Sequence, residues 1–263
     1  IFQSYLFAYS SNPEKFISEL VNDVIIKLSD KNLSKDDKAD FLEKIALERG
    51  HELILRIEKN EEYDISEADV AIDFSVPSAA FNNITSCFKK NIPVISGTTG
   101  WLEDYEKAVT ICKKNNGSFI YASNFSIGVN LFFELNDKLS RIMNSNNNYY
   151  PSIEEIHHTK KLDAPSGTAI TIAEQTIKNS STKEWCLHTN REKVDKEIIP
   201  ISSKRIKDVP GTHIVAYESE IDSIEIKHTA HNRKGFAHGA IIAAEWLINK
   251  NGVYTMKDVL NLD

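Results

Sequence analysis

Residues 68–100, ADVAIDFSVPSAAFNNITSCFKKNIPVISGTTG, decide the fold of this chain. The run ADVAIDFS (68–75) is apolar enough to predict a strand that is buried on both faces. The next segment, 77–91, has a helical pattern with Pro77 near its first turn, and 92–100 predicts a second strand that ends in a glycine-flanked turn. A strand, a helix and a strand of these lengths indicate two parallel strands joined by a crossover helix.

The same alternation of helix and strand extends on both sides of this stretch. A helix (39–49) and a strand (52–57) precede it, and a helix (101–115) and a strand (118–125) follow it. Repetition of this kind is typical of the α/β class, and it predicts a Rossmann-like, doubly wound parallel sheet.

Two domains are predicted. The first covers residues 1–126 and is completed by residues 234–263, where a helical pattern returns. Between these parts the pattern changes to long, partly alternating segments, which predict a mixed or antiparallel sheet. Residues 127–233 are therefore expected to form a second, α+β domain. The alternating segments are 152–158, 211–220 and 223–231.

Composition excludes several classes of function. The formal net charge of −7 argues against a protein that binds nucleic acid or anionic membranes in general. No apolar run approaches the roughly 20 residues that span a bilayer, and no signal peptide is predicted at the start of the sequence. The three cysteines are too far apart to suggest a metal site or a disulfide framework, so reduced thiols in a cytoplasmic protein are expected. They are Cys87, Cys112 and Cys186.

Ligands of doubly wound sheets bind beyond the carboxyl ends of the strands. Four predicted strand ends carry small or polar residues, which suits a cofactor that lies along this edge. The alternative is that they are ordinary turn residues. These ends are Glu58 and the turns 74–77, 97–100 and 122–125.

Residues 154–174, EEIHHTKKLDAPSGTAITIAE, carry the clearest chemical signal. His157, His158 and Lys161 place three groups that can be cationic within five residues, an arrangement that a doubly charged anionic substrate would stabilise. Imidazole also exchanges protons near neutral pH. The following Pro-Ser-Gly-Thr, 165–168, begins a helical pattern, and the amides of a helix N-terminus bind carboxylates.

Each half of this segment also has an ordinary explanation. A histidine pair is often structural or exposed, and a Ser-Gly-Thr helix start is a common cap. Their occurrence together favours a binding site for a carboxylate-bearing substrate. Zinc is the competing functional hypothesis, but adjacent histidines do not easily reach one ion and no third ligand follows at helical spacing, so no metal site is predicted.

The segment HHTKKLDAPSGTA (157–169) closely resembles the signature of the 4-hydroxy-tetrahydrodipicolinate reductase family, also called dihydrodipicolinate reductase, of the diaminopimelate and lysine pathway. The resemblance covers roughly residues 41–263 and includes five further motifs in the same order. These are AIDFSVP (71–77), PVISGTTGW (93–101), YASNFSIGVN (121–130), HTAHNRKGFAHGA (228–240) and YTMKDVL (254–260).

The resemblance implies roles for individual residues of the second domain. His157 matches the proton donor and acceptor, and Lys161 matches a second proton donor. The residues implied to hold the substrate are His158, Gly167 and Thr168, together with Arg233, which lies in a turn that resembles the family's substrate-facing loop.

The resemblance also implies NADH or NADPH as cofactor, a small dicarboxylate as substrate, and a homotetramer formed through the second domain. Two turns of the first domain match the cofactor-binding turns of the family. The first consists of Gly97, Thr98 and Thr99, and the second of Ala122, Ser123, Asn124 and Phe125.

The N-terminal residues depart from the family pattern. The glycine fingerprint GxGxxG, which seats the pyrophosphate at a helix N-terminus, would fall on Ser34, Asp36 and Ala39, so none of its glycines is present. A run at 24–28 (VIIKL) is the candidate first strand, although 12–49 also fits two helices, the second capped by Ser34.

Two further expectations follow from the N-terminal region. Glu58, about 20 residues after the fingerprint position, is expected to bind a free ribose hydroxyl and to favour NAD. The alternative for the whole chain is a catalytically impaired relative with a degenerate cofactor domain, which would act in binding or assembly.

Overall fold

The computed structural model describes residues 5–10, 35–57, 64–146, 148–188, 195–232 and 234–262. The chain folds into two units, Ile1–Ser126 with Phe236–Asp263, and Ile127–Gly235. Glu58, Arg233 and the run at 24–28 lie outside the described residues, as does Ser34.

The first unit is an α/β unit built on one six-stranded sheet. Its strands are β1 (Tyr5–Ser10), β2 (Glu52–Ile57), β3 (Val70–Phe74), β4 (Val94–Ser96), β5 (Ser118–Tyr121) and, near the end of the chain, β11 (Gly252–Tyr254). Its helices are α1 (Lys35–Glu48), α2 (Pro77–Lys89), α3 (Tyr105–Lys114), α6 (Lys234–Leu247) and α7 (Met256–Leu260), with a 3₁₀ turn at Leu102–Asp104.

The sheet has the strand order β11-β5-β4-β3-β1-β2, and β3, β4, β5 and β11 run parallel to one another. Successive residues of a strand face opposite sides, so an apolar strand fills two cores. In β3, Val70 and Ile72 pack in one core with α1 and α6, whereas Ala71 packs in the other core with α2 and α3. The prediction of a doubly wound sheet is confirmed.

One strand of this sheet was not foreseen. β1 lies between β3 and β2 and is antiparallel to both, with Phe7 opposite Ile72. The sequence pattern instead predicts the first strand at 24–28. Helix α1 begins at Lys35, so Asp36 and Ala39 are helical residues, in agreement with the helical alternative for this stretch.

The second unit is a mixed sheet covered by two helices. Its strands are β6 (Tyr150–His157), β7 (Glu184–Leu187), β8 (Ile198–Arg205), β9 (Gly211–Glu218) and β10 (Ser223–Ala230), and its helices are α4 (Ile127–Met143) and α5 (Gly167–Lys178). The order is β10-β9-β6-β8-β7, with β6 antiparallel to β9 and parallel to β8. The predicted α+β unit with a mixed sheet is confirmed, although α4, β7 and β8 were not predicted as elements.

Alternation along β6 turns one set of side chains toward the helices. Ile153 is buried in a core with Phe132 of α4 and Ile172 of α5. Glu155 and His157 follow at intervals of two, so they share the face of Ile153 and are buried with it. The buried face of β6 is thus apolar at Ile153 and polar at its carboxyl end, where Glu155 and His157 lie.

We predict that Gly97→Ala destabilises the first unit. A Cβ at this position would lie 1.9 Å from Cε1 of Phe74, and that ring packs against Phe125 and Phe236 at centroid distances of 5.9 and 5.0 Å. Overpacking of this kind costs about 1–3 kcal/mol, which urea unfolding measures.

The control is Gly167→Ala, where a Cβ meets no atom within 4 Å. Its free energy of unfolding should stay close to that of the unaltered chain. Equal stability of the Gly97→Ala variant and the unaltered chain would contradict the packing explanation.

Candidate active site

The site of the second unit is organised in rows across neighbouring strands. In register, Glu155 of β6 lies between Ser203 of β8 and His213 of β9. Two residues further along the same face of β6, His157 lies beside Arg205 of β8. If the pairing of β6 with β9 is continued by one residue, His157 lies opposite Gly211 of β9. Cross-strand neighbours on one face are close enough to interact. The sheet therefore brings together six residues from three strands that lie apart in the sequence.

The Glu155 carboxylate is the most connected group of the site, and its residue is 0% exposed. It accepts hydrogen bonds from Ser203 Oγ at 2.8 Å, from the Ser166 amide at 3.1 and 3.2 Å, and from Arg205 Nη2 at 3.1 Å. Burial alone would raise the pKa of Glu155, but the adjacent His157 imidazole and the hydrogen bonds from Ser166 and Ser203 lower it by more, so the net pKa lies well below its usual range. The group is ionised at neutral pH.

His157 lies directly against this carboxylate. Its Nδ1 is 3.3 Å from Glu155 Oε2, an ion-pair distance, although among the described residues Nδ1 finds no aligned hydrogen-bond partner. On the other side of the ring, a Cβ at Gly211 would lie 3.2 Å from Nε2. The imidazole packs tightly against the backbone at Gly211, so a side chain at this position would require the ring to shift by a few tenths of an ångström.

His213 completes the buried row. Its ring meets that of His157 edge to face, with centroids 5.1 Å apart, and its Nε2 is 3.3 Å from Ser166 Oγ. Burial lowers the pKa of His213 to about 3, with a further lowering by His157, and Glu155 opposes the change. His213 is therefore neutral at physiological pH and serves as a hydrogen-bonding group.

Helix α5 begins beside this network. Ser166 is its N-cap, and the Ser166 hydroxyl accepts a hydrogen bond from the Ala169 amide at 3.2 Å. The Ser166 amide binds Glu155, which fixes the direction in which the chain enters the helix. A Cβ at Gly167 would meet only open space, so the first turn is accessible to a ligand. Thr168 follows in the same turn and is half-buried.

The segment 158–165 joins β6 to this helix start and carries Lys161. The Lys161 ammonium binds both oxygens of Asp163, at 2.7 and 2.8 Å. Arg205 holds the same segment, since its Nη2 donates to the Asp163 carbonyl at 2.6 Å. His158 follows β6 directly and is half-buried. His157, Lys161 and the helix start thus belong to one connected set of contacts.

Three of these residues also resemble a metal site. One ligand atom each from Glu155, His157 and His213 lie within 4.8 Å of one another, and all three residues are buried. In the sequence only the adjacent pair His157 and His158 suggests a metal site, and the grouping of Glu155, His157 and His213 is not apparent there. The carboxylate is already ion-paired with Arg205, and a metal ion beside it would repel the guanidinium. We interpret the group as a hydrogen-bond and ion-pair network.

Sequence reasoning also missed Glu155, Arg205, His213 and Gly211 as site residues. The alternation of β9 could have indicated Gly211 and His213, because both share with Val215 the buried face that meets α4 and α5. Alternation identifies the face of a polar residue but not its partner on another strand. The contacts of Arg205 depend on a register that no local pattern contains.

The predicted cofactor turns lie at the carboxyl ends of β4 and β5 in the first unit. Thr99 is exposed, and Ala122, Ser123 and Asn124 are partly buried, so these residues are accessible. Thr98 and Phe125 are buried, so they belong to the packed part of each turn and not to its accessible surface.

A second buried carboxylate supports the first of these turns. Asp73 of β3 is 0% exposed and accepts hydrogen bonds at 2.8 Å from the hydroxyls of Ser96 and Thr98, and at 3.0 Å from the Asn83 amide. Burial raises the pKa of Asp73, against the effect of these hydrogen bonds. The Thr98 hydroxyl also accepts a hydrogen bond from the Ser75 amide, which ties the turn after β3 to the turn after β4.

Within the described part of the chain, no helix combines the length and the apolar character that a bilayer-spanning segment needs.

The chain matches two family models. Residues 23–125 match the model described as dihydrodipicolinate reductase, N-terminus, and residues 128–260 match the one described as dihydrodipicolinate reductase, C-terminus.

Individual relatives agree with these models. The chain is 57% identical over 224 residues to the 4-hydroxy-tetrahydrodipicolinate reductase of Christiangramia forsetii, which covers 84% of this chain and 92% of the relative. It is 37% identical over 212 residues to the enzyme of that name from Thermosipho africanus, covering 80% and 87%. A solved dihydrodipicolinate reductase with bound dipicolinate, from Paenisporosarcina sp. TG-14, is similar in fold, with a TM-score of 0.57, 20% identity, and coverage of 91% of this chain and 85% of that one.

The neutral state of His213 predicts an acid-sensitive fold. Between its ordinary pKa of 6.5 and the folded value of about 3, the unfolded chain binds a proton at this residue that the folded chain does not. Stability is therefore lost as pH falls through this window, by about 1.4 kcal/mol per unit. We predict that, from pH 7 to 5, the free energy of unfolding falls by about 2 kcal/mol more than in His213→Gln, as urea unfolding measures. Equal decreases in the two proteins would show that His213 is not buried in its neutral form.

Proposed function

This chain belongs to the dihydrodipicolinate reductase family, and from that membership we infer that it reduces 4-hydroxy-tetrahydrodipicolinate to tetrahydrodipicolinate with a pyridine nucleotide. The reaction is a step of lysine and diaminopimelate biosynthesis. Fifty-seven per cent identity to a reductase along most of both chains is the observation that carries this conclusion.

We propose that His157 and Lys161 manage the protons of this reaction. Loss of the substrate hydroxyl as water takes up a proton at the departing oxygen and releases one from the neighbouring carbon. After hydride transfer, the ring takes up a proton on the atom next to the one that received hydride. His157 Nδ1 lies 3.3 Å from the Glu155 carboxylate, which holds the imidazole in place. Lys161 lies in the next segment, and a bound carboxylate would compete with Asp163 for its ammonium.

The start of helix α5 is the proposed seat of a substrate carboxylate. The amides of Gly167 and Thr168 lie in the first turn, where partial positive charge favours an anion. Open space at Gly167 supports this proposal, because a ligand atom can approach the backbone there. His158 is proposed to bind the same dicarboxylate, and Arg233, outside the described residues, keeps its proposed role from the family resemblance.

The cofactor, NADH or NADPH, is proposed to bind at the turns 97–99 and 122–125 of the first unit. When bound, it supplies the hydride. Small residues and accessible backbone at the carboxyl ends of parallel strands fit a dinucleotide. Thr98, anchored on Asp73, is proposed to keep the first turn rigid. Glu58 remains a proposed ribose contact outside the described residues.

We also propose that the chain forms a homotetramer through its second unit and acts in the cytoplasm. Ile224 of edge strand β10 is 40% exposed and the neighbouring Ile221 is 91% exposed, which favours a partner on this side. The three cysteines are free thiols, as is usual in reducing compartments. A four-chain mass in sedimentation equilibrium tests the assembly.

We predict that His157→Ala and Lys161→Ala lower kcat by roughly 100- to 10,000-fold, because each removes a proton donor. The Kd of NADH, followed by the fluorescence of the purified chain, should change little, because neither residue belongs to the cofactor turns. Lys160→Ala is the matched control, since its exposed side chain is adjacent in sequence and has no assigned role. The reaction is followed by the loss of reduced-nicotinamide absorbance.

Two results would contradict the proposal. Parallel losses of turnover and NADH affinity would place these residues in a general structural role. An unaltered chain that does not bind NADH saturably would favour the alternative of a binding or assembly protein with a degenerate cofactor domain.

A further inference from the structure

Arg205 makes contacts that the proposed chemistry does not use. It ends strand β8, and 21% of its side chain is exposed. Its Nη2 donates to the buried Glu155 carboxylate at 3.1 Å and to the Asp163 carbonyl at 2.6 Å. Its Nε lies 3.4 Å from the Lys161 carbonyl. One guanidinium therefore joins the strand that carries His157 to the loop that carries Lys161.

Glu155 extends this connection to the helix start. The same carboxylate that binds Arg205 also accepts the Ser166 amide and lies 3.3 Å from His157 Nδ1. The three groups proposed to act on substrate thus each contact the Arg205–Glu155 ion pair directly or lie in a segment that contacts it. These groups are His157, Lys161 and the amides of residues 167 and 168.

We propose that Arg205 and Glu155 are a positioning pair, which sets the distance between the imidazole of His157, the Lys161 loop and the helix-start amides. The proposal rests on the function inferred above and adds residues to it. Neither member of the pair is assigned a contact with substrate, so each acts through the groups it holds.

The chemistry of arginine explains why this position needs it. A planar guanidinium presents donors in fixed directions and reaches a carboxylate and two carbonyls at once. A lysine ammonium retains the charge but has neither the reach nor the planar geometry. Small displacements of reacting groups cost on the order of 100-fold in rate, so the effect of Arg205→Lys should be kinetic.

Lys204 provides a matched control. It is the preceding residue of the same strand, on the opposite face of the sheet, and its ammonium binds Glu154, the neighbour of Glu155, at 2.5 Å. Both ion pairs join β6 to β8. Lys204→Ala removes an ion pair between the same two strands without touching the proposed site.

The experiment compares Arg205→Lys, Arg205→Ala and Lys204→Ala with the unaltered chain. Steady-state kinetics give kcat and the substrate KM, fluorescence gives the Kd of NADH, and calorimetry gives the affinity for dipicolinate, a dicarboxylate. We expect kcat of both Arg205 variants to fall roughly 10- to 100-fold and dipicolinate to bind about tenfold more weakly, with the Kd of NADH unchanged within about twofold. Lys204→Ala should retain all four values within about twofold.

Guanidinium chloride at millimolar concentration tests the geometry separately. It should restore part of the kcat of Arg205→Ala, because the side chain leaves a partly open space, and ammonium chloride should not. A urea unfolding transition like that of the unaltered chain shows that the variant is folded. Full activity in Arg205→Lys, or equal losses in Lys204→Ala, would overturn the positioning role while the proposed function stands. If the unaltered chain does not turn over, the function fails, and dipicolinate binding that is unchanged in the Arg205 variants then refutes the pair as well.

Discussion

The buried carboxylate of Glu155 is the interaction on which the rest of the site depends. Removal of an ion from water costs several kcal/mol, and the fold offsets this cost with the guanidinium of Arg205, the Ser203 hydroxyl and the Ser166 amide. These donors come from different segments, so satisfying one charge fixes all of them at once. The same charge lies beside the His157 imidazole. A single electrostatic requirement therefore determines both the local structure and its chemistry.

The first unit also contains a buried carboxylate, but the groups that bind it are of a different kind. Asp73 is equally buried, but its hydrogen-bond partners among the described residues are hydroxyl and amide groups, without a cation, and burial raises its pKa. Its hydrogen bonds hold Ser96, the last residue of β4, and Thr98, which lies in the turn after β4. In each unit a buried acid thus supports the turn where a ligand is proposed to bind, while the turn itself supplies backbone or small side chains. Rigid support beneath an accessible backbone is what precise binding requires.

Local patterns predicted much of this molecule. The apolar runs and helical spacing of 68–125 gave the parallel, doubly covered sheet, because each core position there follows from a period of two or 3.6. The segment 154–174 indicated the candidate site, since His157 and the helix start are close in sequence. Arg205, His213 and β1 were missed for a common reason. Their importance depends on pairing with distant strands, and the register of such pairs is set by the whole sheet rather than by neighbours in sequence.

The ionisation state of Glu155 in the folded chain can be measured directly. Carbon NMR of protein labelled at glutamate carboxyl carbons, with Glu155→Gln for assignment, follows this group through a pH titration. The account predicts a signal that remains that of a carboxylate at pH values well below 4.5, the ordinary pKa of glutamate, for as long as the protein stays folded. Protonation of Glu155 at or above that pH would contradict it, because a neutral acid could not hold Arg205, the helix start and His157 in the way described.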